Sequence, residues 1–304
     1  MHTFDTLDKL PARCAQALGN RSDLIAPKGS VVAIVASGEA ALAADLYVAA
    51  THESSTVPVV VTRGTLPGFV DSRTLVVALS ETGSDTVTVD AISHAIDLGA
   101  TVAVVAPGGH LLDMAASQGY LNRVIPRPLV PRTPLIAELF FGLWGLLGED
   151  EDEAKAAFAL LTRQRRLFGP EAAEDGNPAR LLTAAFNGRQ PLLYGTTALA
   201  QAAVDIWVDR LRSTGHPAHG GLLDVDIDVD RWPAMTSTRT PHAEALVLRD
   251  SGEASDVDAK ITAMRKALGV TITVNELSME GRTGLERLWG AVYLAEWTAF
   301  YLAP

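Results

Sequence analysis

Short apolar runs rich in β-branched residues alternate with helical segments through the first half of the chain, and this alternation constrains the fold more than any other feature. From residue 31 onward the segments read VVAIVA, EAALAADLYVAAT, VPVVVT, LVVALS, VTVDAISHAIDLG, TVAVVA and RVI. Strands this apolar are buried on both faces, which is typical of a parallel sheet covered by helices. The order of strand and helix therefore predicts a doubly wound α/β domain.

The second half repeats this order more weakly. Its segments read PLLYGT, LAQAAVDIWVDRLRS, EALVLRD, ITAMRKAL and VTITV, and the chain closes with ERLWGAVYLAEWTAFYLA. Between the halves lies a helical segment that starts acidic, ends basic and stops at Gly169-Pro170, as the helix dipole and a Gly-Pro breaker predict. We therefore predict two tandem doubly wound α/β domains with parallel sheets flanked by helices, covering residues 1–150 and 151–304, the second including the closing helix.

The composition excludes several classes of function. The 304 residues carry 25 Lys and Arg against 36 Asp and Glu, a net charge of −11 that repels nucleic acid. The most apolar stretch, PLIAELFFGLWGLLG, contains Glu138 and is too short to span a bilayer. The N-terminus lacks a signal-peptide pattern, and the single cysteine, Cys14, excludes an internal disulfide. We expect a cytoplasmic protein that binds neither nucleic acid nor membranes.

Two loops follow strands at the edge of the sheet where such folds bind their ligands. They are Ser37-Gly38-Glu39 and SETGSDT, which begins at Ser80. The second loop supplies hydroxyls, its Gly83 allows a tight turn, and the next helix points free N–H groups at it. This combination predicts an anion cradle. The alternative is that Ser84 or Asp85 only caps the helix.

Both loops also resemble motifs of a known family, the sugar isomerase (SIS) domain proteins, and within it the bifunctional phosphoglucose/phosphomannose isomerases. The family's G-G-S-G-x-x-G-D aligns on residues 38–45, and its S-Y-S-G-N-T-E-E-T aligns on residues 80–88. Pro131-Arg132, the segment NPARLLTAAFNGRQPLLYG and the closing helix are further likenesses. The resemblance implies two SIS domains, a sugar or sugar-phosphate ligand, a homodimer with its site at the subunit boundary, and no cofactor or metal. The ligand-binding residues that it implies are Gly38, Ser80, Thr82, Gly83, Ser84 and Arg132.

The chain departs from this pattern in the residues that would face a phosphate. Ala40 replaces the serine of the first motif, and Asp85 replaces a threonine of the second. Carboxylates at Glu39, Glu81 and Asp85 would repel a phosphate by a few kcal/mol each at an effective dielectric constant of about 20. We expect Arg132 either to pair with one of these acids or to form a structural ion pair. The pocket is predicted to suit a cationic, amine-bearing or neutral hydroxylated ligand better than a phosphate.

The catalytic positions that the family implies are also changed. Arg212-Ser213-Thr214 stands where the family has N-E-N with its glutamate base, and the acidic run around Asp224 stands where the family has E-L-N-H-N. No counterpart of the family's late lysine is evident. His216 and His219 lie nearby and could act as a base, bind a metal, or serve as solvated or capping residues. We leave the catalytic residues unassigned and predict a binding or regulatory protein, with an active isomerase of altered substrate or chemistry as the alternative.

The closing helix carries an aromatic stripe whose role the sequence leaves open. Its members are Trp289, Tyr293, Trp297 and Tyr301. Aromatic residues are enriched at subunit interfaces, and this favours an interface in a homodimer. Packing inside a core is the alternative.

Overall fold

The computed structural model describes residues 3–19, 31–130, 133–223, 242–269 and 272–303. The chain divides into two compact units. The N-terminal unit is Lys9–Phe158, and the C-terminal unit is Ala159–Pro304 together with Met1–Asp8.

Strands and helices alternate along much of the described chain, but β2 is followed directly by β3, and helices follow one another at the start of the chain and between β5 and β6. The strands are β1 (Val32–Ala36), β2 (Val59–Thr62), β3 (Leu75–Leu79), β4 (Thr101–Ala106), β5 (Leu121–Val124), β6 (Gln190–Gly195), β7 (His219–Leu222), β8 (Ala243–Arg249) and β9 (Thr273–Ser278). The helices are α1 (Phe4–Asp8), α2 (Leu10–Leu18), α3 (Gly38–Thr51), α4 (Thr86–Asp97), α5 (His110–Gln118), α6 (Ile136–Leu146), α7 (Glu151–Phe168), α8 (Pro178–Phe186), α9 (Ala198–Ser213), α10 (Val257–Leu268) and α11 (Gly284–Leu302). The α/β class with parallel sheets is confirmed.

The described part of the N-terminal unit forms a five-stranded parallel sheet in the order β2-β1-β3-β4-β5. The order of strands reverses at β1, which therefore has β2 on one side and β3 on the other. Ala36 pairs with Leu79, and Leu79 pairs with Val105, so β1, β3 and β4 end side by side. The loops after β1 and β3 thus flank the switch point where doubly wound sheets bind their ligands.

Helices cover both faces of this sheet, as the apolar strands require. All residues of β1 and β3 are buried, and so is every residue of α6. Helices α2 and α3 pack on α6. Gly145 of α6 lies so close to α2 that a Cβ there would approach the Leu18 carbonyl oxygen to 2.2 Å. The apolar stretch that is too short for a bilayer is therefore a buried helix of the core.

The described part of the C-terminal unit has a four-stranded parallel sheet in the order β7-β6-β8-β9. Strand β7 was not predicted, because its Gly220-Gly221 pair has low strand propensity. The packing explains the first of these glycines. A Cβ at Gly220 would lie 2.6 Å from a methyl carbon of Val204 and 2.7 Å from one of Val208, both on α9. The glycine lets the helix sit directly on the strand.

The closing helix α11 belongs to the core of the C-terminal unit. It begins with a capping box between Thr283 and Glu286. Trp289, Tyr293 and Trp297 are fully buried, and α11 packs on α8, α9 and α1. For these three rings the expected subunit interface was wrong and the core alternative is right. The fourth member, Tyr301, is half-buried and donates its hydroxyl to the Phe168 carbonyl at 2.7 Å within the same unit. The homodimer stays a prediction without their support. Among the described residues, no helix has both the length and the apolarity needed to cross a membrane.

Candidate functional site

The loop between β3 and α4 is closed by its own side chains. The Ser80 hydroxyl donates to Oδ2 of Asp85 at 2.5 Å, and Ser80 Oγ accepts the N–H of Gly83 at 2.8 Å. Asp85 is the N-cap of α4, and its Oδ1 accepts the N–H of Thr88 at 3.0 Å. Ser80 and Thr88 are almost completely buried. The carboxylate of Asp85 therefore occupies the centre of the predicted anion cradle.

The pKa of Asp85 is consistent with this position. Burial raises the pKa of this carboxyl, but hydrogen bonds from Ser80 and Thr88 outweigh the burial and hold the pKa below its ordinary value. Hydrogen bonds to the ionised form stabilise that form. Asp85 is thus a charged group at neutral pH, and the prediction that Ser84 or Asp85 caps the helix is realised by Asp85.

Gly83 lets this loop contact the neighbouring loop after β4. Its φ is +68°, and a Cβ there would lie 1.8 Å from the carbonyl oxygen of Gly108. The Gly83 carbonyl accepts the N–H of Leu111 at 2.8 Å, and Ser84 Oγ accepts the N–H of His110 at 3.1 Å. Only glycine combines this backbone conformation with this close approach. Gly83 is therefore the point at which the two loops are joined.

Glu81 reaches from the same loop to the start of α3. Its Oε1 accepts the N–H of Glu39 at 2.8 Å. Gly38, with φ +56°, leaves room for this carboxylate, because a Cβ at Gly38 would lie 2.8 Å from Oε1. Burial raises the pKa of Glu81, and the nearby charges of Glu39 and Asp85 raise it further, while the N–H donors of α3 lower it. The net pKa of Glu81 lies above its ordinary value.

The structure brings five of the six predicted binding residues to the switch point. Gly38 lies against Glu81, and Ser80, Thr82, Gly83 and Ser84 form the loop itself. Thr82 Oγ1 accepts the N–H of Ser84 at 3.1 Å, and both of these side chains are exposed. The sixth residue, Arg132, lies outside the described residues, as does its neighbour Pro131.

Sequence reasoning missed a basic residue beside this loop. The Nε of Arg127 donates to the Pro107 carbonyl at 3.3 Å, and its guanidinium lies 3.1 Å from where a Cβ of Gly108 would be. Gly108 is the residue whose carbonyl faces Gly83. The signal was the dipeptide Pro126-Arg127, five residues before the Pro-Arg pair that carries the family resemblance.

The residues considered for catalysis are not assembled into a site within the described structure. His216 Nδ1 lies 2.9 Å from Thr214 Oγ1, while exposed His219 begins β7. Arg212 donates to the Ala218 carbonyl and Ser213 to the Arg210 carbonyl, so both close the end of α9. The described residues contain no cluster of metal ligands. The acidic run that begins at Asp224 falls outside them.

The C-terminal unit has a comparable arrangement at its own switch point, between β6 and β8, which the sequence did not reveal. Thr197 is the N-cap of α9, and its hydroxyl donates to Oδ2 of Asp250 at 3.0 Å. The other oxygen of this buried carboxylate accepts from Nε of Arg287, and the Asp250 N–H is held by Thr196 Oγ1 at 3.0 Å. Both switch points thus pair a hydroxyl with an internal carboxylate.

Parallel sheets with hydroxyl-bearing loops at the switch point define a doubly wound α/β protein with a candidate ligand site at the carboxyl ends of its strands. A family model for the bacterial phospho-glucose isomerase C-terminal SIS domain matches residues 175–304. The bifunctional phosphoglucose/phosphomannose isomerase of Caldicellulosiruptor bescii is 27% identical over 290 residues, 90% of this chain and 83% of that protein. The protein of the same name from Aquifex aeolicus is 26% identical over 259 residues, 83% of this chain and 77% of the relative. Residues 175–304 therefore match a SIS-domain model, and the chain over most of its length resembles the bifunctional phosphoglucose/phosphomannose isomerases.

Solved structures agree with this fold. A hypothetical protein from Thermus thermophilus has a TM-score of 0.69 at 17% identity, covering 98% of this chain and 84% of that chain. A glucose-6-phosphate isomerase like protein from the same organism has a TM-score of 0.57 at 18% identity, covering 99% and 95%. At such identities the likeness concerns the fold alone, because function resides in the site.

Proposed function

We propose that the protein binds a sugar or sugar derivative through the switch point of its N-terminal unit and acts in binding or regulation, without ordinary aldose–ketose isomerisation. The observation that carries this proposal is the hydrogen bond from Ser80 to Asp85. A serine has one O–H donor, and here an internal carboxylate uses it. The hydroxyl that the family resemblance assigns to a phosphate is therefore already engaged.

The remaining groups of the loop favour a ligand without a phosphate. Thr82 and Ser84 accept N–H groups through their oxygens and so keep their O–H donors for a ligand. Glu81 contributes a carboxylate acceptor on the same loop. Hydroxyl donors beside a carboxylate match a neutral polyhydroxylated or amine-bearing sugar. A phosphate dianion would meet the charges of Asp85 and Glu81 within a few ångströms.

Two features oppose ordinary isomerisation: the residue at the expected catalytic position and the closed end of α9. The resemblance assigns the base to the position of Ser213, and a serine hydroxyl does not serve as a carboxylate base. Ser213 also donates to the Arg210 carbonyl at the end of the helix. An altered isomerase is the second candidate, because the relatives named as isomerases match 90% and 83% of the chain.

A thermal-shift panel with a paired activity assay tests the proposal. The ligands are glucose 6-phosphate, fructose 6-phosphate, mannose 6-phosphate, an arabinonate 5-phosphate intermediate mimic, amino sugars and neutral sugars. A ligand at a hundred times its Kd adds about 2.7 kcal/mol of stability. We expect stabilisation by neutral or amino sugars and none by phosphates. Stabilisation by the phosphorylated mimic, together with interconversion of glucose and fructose 6-phosphates, would establish the isomerase instead. A size measurement in solution tests the expected homodimer.

A further inference from the structure

The geometry points to Glu81 as the residue that excludes anionic ligands from the switch point of the N-terminal unit. This inference rests on the proposed function and deepens it, since it names the side chain that sets the charge of the ligand. The N-terminus of a helix attracts anions through its free N–H groups. At α3 that position is taken by a carboxylate of the chain itself, whose Oε1 accepts the Glu39 N–H at 2.8 Å.

Gly38 supports this role independently of the hydrogen bond. With φ at +56° it begins α3 in a conformation that favours glycine, and a Cβ would come within 2.8 Å of the Glu81 carboxylate. Gly38, which the resemblance assigns to ligand binding, is thus the residue that makes room for Glu81. The glycine that would let a ligand approach the backbone lets an internal carboxylate approach it.

The electrostatic surroundings show that this carboxylate is held by specific contacts. Glu81 is half-buried and lies near the like charges of Glu39 and Asp85. Burial and like charge both oppose an ionised carboxyl. The N–H groups at the start of α3 favour the charged form and offset part of this cost. An external anion would compete for the same N–H groups and would add a fourth negative group to the cluster.

Glu81→Gln separates the charge from the hydrogen bond. The glutamine oxygen can still accept the Glu39 N–H, while the negative charge is lost. The matched control is Glu53→Gln, which removes the same charge from an exposed residue just beyond α3. The probes are sulfate and inorganic phosphate, titrated by calorimetry into the full chain at constant ionic strength. We expect Glu81→Gln to bind sulfate at least tenfold more tightly than the wild-type protein, and Glu53→Gln to match the wild type.

Equal anion affinity in Glu81→Gln and the wild-type protein would overturn the inference, provided that the circular dichroism spectra agree. Glu81→Ala is the second variant, since it frees the Glu39 N–H altogether. It should gain affinity by at least the same factor, and a gain in neither variant assigns Glu81 to helix capping alone. Failure of the proposed function looks different. In that case the wild-type protein itself is stabilised by sugar phosphates, whatever the ratio between the variants.

Discussion

The Ser80 hydroxyl oxygen lies 2.5 Å from Oδ2 of Asp85, which also caps α4 through the Thr88 N–H. One carboxylate therefore receives the hydroxyl and the helix N–H that a bound anion would receive. The loop needs no ligand to satisfy these groups. The loop is therefore held by its own contacts, and we expect a substitution of Asp85 to change the stability of the fold.

Asp85→Ala should destabilise the N-terminal unit by about 2 kcal/mol, because it removes a helix cap worth about 1 kcal/mol and leaves the buried Ser80 hydroxyl without its acceptor. Urea denaturation followed by circular dichroism measures the free energy of unfolding. Asp85→Asn keeps an acceptor oxygen and should lose less than half as much. Equal losses in the two variants would contradict the cap geometry.

Glu81 should make stability depend on pH in the direction opposite to that of Asp85. The pKa of Glu81 is raised in the folded state, chiefly by burial. Its contribution to the free energy of unfolding is therefore fully present below the pKa that Glu81 has in the unfolded state. This contribution is lost as the pH rises through the pKa of the folded state. Glu81→Gln should raise the Tm at neutral pH, and the advantage should vanish at acidic pH where Glu81 is protonated. Melting curves of this variant and Glu53→Gln at both pH values check this, and a gain that persists in acid would refute it.

Gly83→Ala should cost more than about 2 kcal/mol, since it places a methyl group 1.8 Å from the Gly108 carbonyl oxygen in addition to the strain of φ +68°. Gly119→Ala is the matched control. Gly119 has φ +73°, and no atom lies within 4 Å of an added Cβ there. The control isolates the conformational strain, which is about 1 kcal/mol. Chemical denaturation of both variants gives the difference, and similar losses would argue against the loop contact.

Arg287→Met should destabilise the C-terminal unit by about 3 kcal/mol, because it leaves the carboxylate of Asp250 buried without its cation. The side chain of Asp250 is 4% exposed and that of Arg287 15%. Arg73→Met breaks the exposed pair with Asp71 and should leave the stability nearly unchanged, because water screens such a pair. Differential scanning calorimetry of the two variants measures both effects. A small loss in Arg287→Met would mean that Thr197 alone satisfies the carboxylate.

Most strands of the two sheets were predicted from the sequence because they are continuous apolar runs. Such a run is a local property that the sequence shows directly. Strand β7 was missed because its glycines do not indicate a strand locally. Gly220 is needed there because Val204 and Val208 of α9 lie close to it, and this contact cannot be seen in the local sequence. The aromatic stripe of α11 was misassigned for a similar reason. Apolar faces look alike whether a neighbouring helix or a second subunit covers them.

The candidate site was predicted in its residues but not in its internal contacts. Hydroxyls and acids in one loop indicate a polar site, and Asp85 stood at a position where a cap is common. The orientation of the Glu81 side chain toward α3 could not be predicted, because it depends on how the loop after β3 lies against the start of α3. Asp250 and Arg287 are 37 residues apart, and no local pattern joins them.

The hydroxyl of Tyr293 on α11 donates to the Leu7 carbonyl at the end of α1, 286 residues earlier. Helix α1 is therefore translated early but acquires this partner only after α11 has left the ribosome. The N-terminal unit, Lys9–Phe158, is continuous in sequence and can complete its own contacts during synthesis. We therefore expect the C-terminal unit to complete its folding later, when α11 becomes available to bind the earlier segment Met1–Asp8.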